Sequence, residues 1–118
     1  METVLKTNKE VIRTLYEGVL NQRKFDLVDK IVSEDYISVQ SERGIEAFKR
    51  SLKTVIDAFP DAKWTLEAIV AEGNTVMVRQ TLTGKHKNKF QNIPPTGQTI
   101  SNEGFAQYEL IDGKIVRH

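Results

Sequence analysis

The sequence predicts an α+β domain in which three N-terminal helices pack on one face of a curved, mixed or antiparallel sheet. Apolar residues recur at helical spacing through the first half of the chain, and from Lys63 onward the period changes to two. Helices gathered first and strands last favour layers over alternating βαβ units. With 118 residues, 39% of them apolar, the chain is long enough for one core and too short for two ordinary domains, so residues 1–118 are read as a single domain.

Thr7 with Glu10 makes a capping box, and Val11, Ile12, Leu15, Tyr16, Val19 and Leu20 then keep helical spacing up to Asn21. FDLVDKIV repeats the pattern in short form, with Phe25, Leu27, Val28, Ile31 and Val32 toward a core and Asp26, Asp29 and Lys30 toward water. DYISVQ is β-branched and aromatic without a helical period, which predicts a strand of about 5 residues. Ser41 is placed to cap a third helix with the stripe Ile45, Phe48, Leu52, Val55 and Phe59, ended by Pro60.

Beyond Lys63, Trp64, Leu66, Ala68 and Val70 alternate with Thr65, Glu67, Ile69 and Ala71, the second set reading as the outward face. After the EGN turn, Val76, Val78, Gln80 and Leu82 alternate in the same way. The loop KHKNKFQNIPPTG interrupts the sheet, because its prolines donate no ladder hydrogen bonds. QTISNEGFAQYEL, an Asp112-Gly113 hairpin turn and KIVRH complete it. Alternation puts Ala106, Tyr108 and Leu110 on one face of the penultimate strand, so its apolar face carries no carboxylate.

Lysine and arginine total 17 against 16 acids, and a net charge of +1 supplies no field to draw the chain to nucleic acid or an anionic membrane. There is no cysteine and there are two histidines, so no metal site is expected. No glycine-rich phosphate loop or nucleotide fingerprint occurs, and no cofactor is expected. The polar start METVLKTNKE lacks the apolar stretch of a signal peptide, and a cytoplasmic location is the expectation.

A curved sheet under helices encloses a concave space that is either filled or kept as a pocket for a small ligand. Both outcomes stay open at this level. Tyr16, Tyr36, Trp64 and Tyr108 can each line such a pocket with a ring and turn a polar atom inward, and Gln80 brings an amide to an apolar strand face. His86 is the candidate acid or base, with an ordinary pKa of about 6.5. Its neighbours Lys85 and Lys87 favour a solvated surface position instead.

The segments NKEVIRTLYEGVLNQRKFDLVDKIVSEDYI, AEGNTVMVRQTLTGKHKNKF, IPPTG and IDGKIVRH, in this order, resemble the SnoaL-like polyketide cyclases of the nuclear transport factor two-like superfamily, over about residues 7–118. The resemblance implies a cone-shaped fold, a small apolar or aromatic organic ligand, and a homodimer through the sheet. It also implies a cyclase- or isomerase-type proton transfer beside a carbonyl. By the same resemblance His86 matches a family histidine and Tyr16 matches a ketosteroid isomerase tyrosine. Ala106 stands where an Asp or His is frequent, Val39 and Gln40 stand where relatives carry a histidine or aspartate, and His118 matches a histidine that a Trp and a carboxylate follow. The usual acid/base groups are therefore expected to be largely missing. The alternative is a non-catalytic ligand-binding or dimeric interaction module, with Phe105 and Ile69 on the outer sheet face.

Overall fold

The capping box closes as the sequence predicts: Glu10 N donates to Thr7 Oγ1 at 3.2 Å and Thr7 N donates to Glu10 Oε1 at 3.1 Å. This start is seen in a computed structural model that describes residues 7–38, 41–90 and 93–118. Helix α1 (Asn8–Arg13) runs on without a break into a π-helical stretch, Thr14–Asn21. The chain packs closely at Gly18 on that stretch, where a methyl group would lie 3.0 Å from Leu27 Cδ1.

The predicted second helix is shorter than FDLVDKIV suggests. Phe25–Leu27 form a 3₁₀ turn, α2 covers Val28–Ile31, and Val32 already opens strand β1 (Val32–Ile37). The cause is tertiary: Val32 pairs in parallel with Ile115 and both are fully buried, a setting that suits a β-branched side chain better than another helical residue. Val39 and Gln40, at the end of the predicted strand, lie outside the described residues.

Ser41 does not cap the third helix. It is exposed at φ 65°, and α3 (Ile45–Ala58) starts after Gly44, whose φ of 88° is open to glycine at little cost. Gly44 N donates to Tyr36 O at 2.8 Å, which ties the start of α3 to β1 and leaves Ser41 in the outer turn.

Strands β2 (Lys63–Glu72), β3 (Thr75–Lys85), β4 (Thr99–Ile111) and β5 (Lys114–Arg117) complete a sheet of order β1-β5-β4-β3-β2, antiparallel except for β1 with β5. Asp112 at φ 52° and Gly113 at φ 77° make the tight β4–β5 turn. The alternation read along β2 breaks midway. Leu66 opposes Gln80 but Ala68 opposes Arg79, so Glu67 is an extra, bulged residue and the faces exchange beyond it. Ile69 consequently packs on the core and Val70 is 61% exposed, the reverse of the predicted assignment.

The π-helical stretch lies over β2, and α3 lies against β1. Asn21 fixes the first of these contacts by exchanging two 2.8 Å hydrogen bonds with the Trp64 backbone, its Nδ2 donating to O and its Oδ1 accepting from N. Arg23 donates to the carbonyls of Leu20, Pro60 and Ala62 and holds its guanidinium over the Trp64 ring.

Candidate functional site

Beneath the first helix the interior is closed. Tyr16 and Tyr108 meet edge to face, their rings 6.2 Å apart at 88°, and their hydroxyls share a 2.7 Å hydrogen bond. Burial, only partly opposed by that bond, pushes the Tyr16 phenol up to about 12. The Tyr108 phenol is raised well above its ordinary value, chiefly by the same cause. Both keep their protons and act as packing groups with a satisfied polar tip. Trp64 is also buried, held on one side by Arg23.

The open space lies under α3. A cavity of about 690 Å³ is walled by Ser51, Thr54 and Val55 of α3 and by Ala106 of β4, with Phe90 at one side. It opens where it does because β5 covers only Glu109–Ile111 of β4, leaving the strand around Ala106 paired with β3 alone. Its mouth carries the Arg50–Glu42 ion pair at 3.5 Å. Tyr36 and His118 also line it.

His118 is the cavity's titratable base. Its Nδ1 stands 3.4 Å from the Tyr36 hydroxyl, and its ring stacks on Tyr108 with centroids 4.8 Å apart and planes at 4°. The residue as a whole is exposed, yet the ring is laid against Tyr108 and Phe48, and this burial holds the imidazole below its ordinary value. At neutral pH it is therefore uncharged and able to accept a proton. Tyr36 is raised, first by burial and then by the charge of Glu42, so it remains a hydrogen-bond donor.

Of the five ligand-pocket residues read from the sequence, Tyr36 alone lines this cavity, joined by Ala106 and His118, the positions that the family resemblance marks. Tyr16, Tyr108 and Trp64 belong to the closed core. Gln80 points to the concave face, and its Oε1 is buried with no hydrogen-bond partner among the described residues. His86 is neither solvated nor on the cavity wall. It is 5% exposed, its ring 5.0 Å from that of Phe59, and its Nδ1 lies 3.3 Å from Thr96 Oγ1. Gly84 explains the burial, because a methyl group there would lie 3.2 Å from Phe59 Cβ; the chain passes so close that the next inward side chain is pressed onto Phe59. The adjacent backbone is fixed as well, Lys85 N donating to Asp61 Oδ1 at 2.8 Å and Lys87 N to Ala58 O at 3.1 Å.

Strict alternation from Ile115 sends His118 outward, so periodicity alone does not bring it to the cavity, although the family resemblance marks its position. Leu110 opposes Ile115 whereas Glu109 opposes Arg117, so Val116 is an extra residue that turns His118 toward Tyr108. Among the described residues no three His, Asp or Glu side chains gather to hold a metal ion, and no helix is long and apolar enough to cross a membrane.

Known proteins resemble the chain in sequence and fold. Aklanonic acid methyl ester cyclase DnrD of Streptomyces peucetius is 29% identical to the chain, over 97% of it and 83% of the cyclase. A SnoaL-like polyketide cyclase of Agrobacterium tumefaciens superposes with a TM-score of 0.84 at 20% identity, over 95% of this chain and 87% of that one. AclR of Streptomyces galilaeus, a hydroxylase candidate, superposes with a TM-score of 0.79 at 26% identity, over 98% of this chain and 87% of its own. Helices packed on a curved mixed sheet with a cavity between them, together with a match over residues 10–118, show that the chain belongs to the SnoaL-like polyketide cyclase family and has its nuclear transport factor two-like fold.

Proposed function

We propose that the cavity under α3 binds a small, largely apolar organic carbonyl compound and that His118 accepts a proton from it in a cyclase-type reaction. The observation that carries this reading is the His118 imidazole on the cavity wall with its Nδ1 3.4 Å from the Tyr36 hydroxyl; burial, which holds that imidazole below its ordinary pKa, favours the form able to accept a proton. The imidazole takes a proton from the carbon beside a carbonyl, and the Tyr36 O–H meets the charge that develops on the enolate oxygen. The enolate carbon attacks a second carbonyl of the same molecule, and the resulting alkoxide recovers the proton from the imidazolium. The step needs no cofactor. His86, enclosed against Phe59, serves in this reading to hold the loop after β3.

Aklanonic acid methyl ester, named in the relative DnrD, is the first compound to test. Turnover followed by chromatography is expected for the wild type, with His118→Ala lowering it by about 10²–10⁴-fold while ligand-detected NMR still reports binding. Unchanged turnover in His118→Ala defeats the proposed role. The second reading, binding without turnover, draws support from Ala106, a cavity residue that exchanges no proton. Binding by the wild type with no product from a panel of polyketide-like diketones selects it.

The outer sheet face supports a homodimer. Val70 lies opposite Met77, and Phe105 opposite Arg79; Val70, Met77 and Phe105 are 61%, 44% and 75% exposed. Sedimentation of the wild type as a dimer and of Phe105→Asp as a monomer is the expected pair of results.

A further inference from the structure

Tyr108 serves both halves of the interior. Its hydroxyl belongs to the closed core, bonded to that of Tyr16 at 2.7 Å, and the two rings meet at 88°. It is 3% exposed on a strand position paired with Val76, so the close-packed surroundings leave the ring no room to turn. One face of the same ring carries the His118 imidazole, 4.8 Å away and 4° from parallel, an offset-stacked arrangement.

His118 needs such a support, because β5 ends at Arg117 and the ladder with β4 does not include it. Its 3.4 Å contact with the Tyr36 hydroxyl is longer than the about 3.2 Å of a well-formed hydrogen bond and orients the ring weakly. Phe48 touches the imidazole at a tilt of 56° and meets Tyr36 edge to face. The parallel face of Tyr108 is the contact that defines the imidazole plane. That plane matters for chemistry, since the nitrogen lone pair that accepts a proton lies in it.

We infer that Tyr108 is a positioning residue, its ring held by Tyr16 as a fixed seat that sets the plane in which the His118 imidazole takes a proton. Two tyrosines of the closed half thereby aim the base of the open half without touching the bound molecule. This rests on the reading of His118 as the cavity's base, and the test separates the two.

In the wild type, the His118 ring-proton NMR signals, assigned by their loss in His118→Ala, are expected upfield of those of a water-exposed histidine, as for any protons lying over an aromatic ring. Signals at the ordinary position overturn the seat. Kinetics on aklanonic acid methyl ester test the role. Tyr108→Leu is combined with Tyr16→Phe, so that no buried hydroxyl is left without its partner. The folded double variant, checked by its thermal transition, is expected to lose about 10–100-fold in kcat with KM unchanged. Its acid limb of kcat is expected to move up toward about pH 6.5 as the imidazole swings into water, the charged groups of the cavity wall, Glu42 and Arg50, being the same in both proteins. Tyr108→Phe, which keeps a flat ring, is expected to keep the wild-type kcat and acid limb. An unchanged kcat or an unmoved acid limb in the double variant, or a loss that Tyr108→Phe shares in full, overturns the positioning role alone. If the double variant does not fold, the wild-type signals decide. No turnover by the wild type overturns the reading of His118 as base, and the positioning role with it, while the upfield signals still report where the ring lies.

Discussion

The space under the first helix and the space under α3 are bounded by the same sheet, yet one is solid and the other open. Under the first helix, Ile12, Leu15, Tyr16 and Val19 meet Val76, Val78 and Tyr108, with exposures of 3% or less throughout. Beside α3 the short or polar residues Ser51, Thr54 and Ala106 stand among the larger Tyr36, Val55 and Phe90, and a hollow remains between them. The contrast teaches that stability and ligand capacity occupy different halves of one concave face. The small residues are no packing defect, because the closed half already supplies a continuous core.

Substitutions in the two halves are the sharpest way to break this contrast. Leu15→Ala is expected to cost about 2–5 kcal/mol, whereas Thr54→Ala is expected to stay within about 0.5 kcal/mol, both by urea denaturation. Equal costs remove the distinction. Tyr108→Phe leaves the buried Tyr16 hydroxyl without its partner and is expected to cost about 1–3 kcal/mol without altering ligand binding. A loss of binding in that variant moves the ligand into the closed half.

The smallest expected effect concerns pH and His118. Its folded value lies below the ordinary one of about 6.5, so the unfolded chain binds more protons between the two values. Stability is then lost as pH falls from about 6.5 toward the folded value, and turnover falls on the same acid limb as the imidazole charges. Thermal melts between about pH 5 and pH 7 are expected to show a shallower decline in His118→Ala than in the wild type. Identical slopes place the ring in water.

Much of the frame was legible. The capping box, the Asp112-Gly113 turn and the change of period at Lys63 depend on local chemistry that the residues themselves carry. The features that were not legible come from pairing between distant segments. The extra residues Glu67 and Val116 change no composition, yet each exchanges the faces of its strand, so simple alternation misplaces Ile69 and gives no hint that His118 turns toward Tyr108. Val32 left its helix for Ile115, far away in sequence. The aromatic residues of the candidate site were legible as inward groups, but whether a tyrosine hydroxyl finds another hydroxyl or a cavity depends on the partner that folding brings to it. Tyr16 found Tyr108, and Tyr36 found His118.

The side-chain clip at Asn21 reaches beyond fastening a helix. Strand β2 is the outermost in its direction, and an outermost strand offers bare amide and carbonyl groups to any passing extended chain. The carboxamide of Asn21 occupies both backbone groups of Trp64, imitating one rung of a neighbour that is not there. Growth of the sheet past β2 is thereby blocked at its start, at the one rung where the Trp64 amide and carbonyl are already taken.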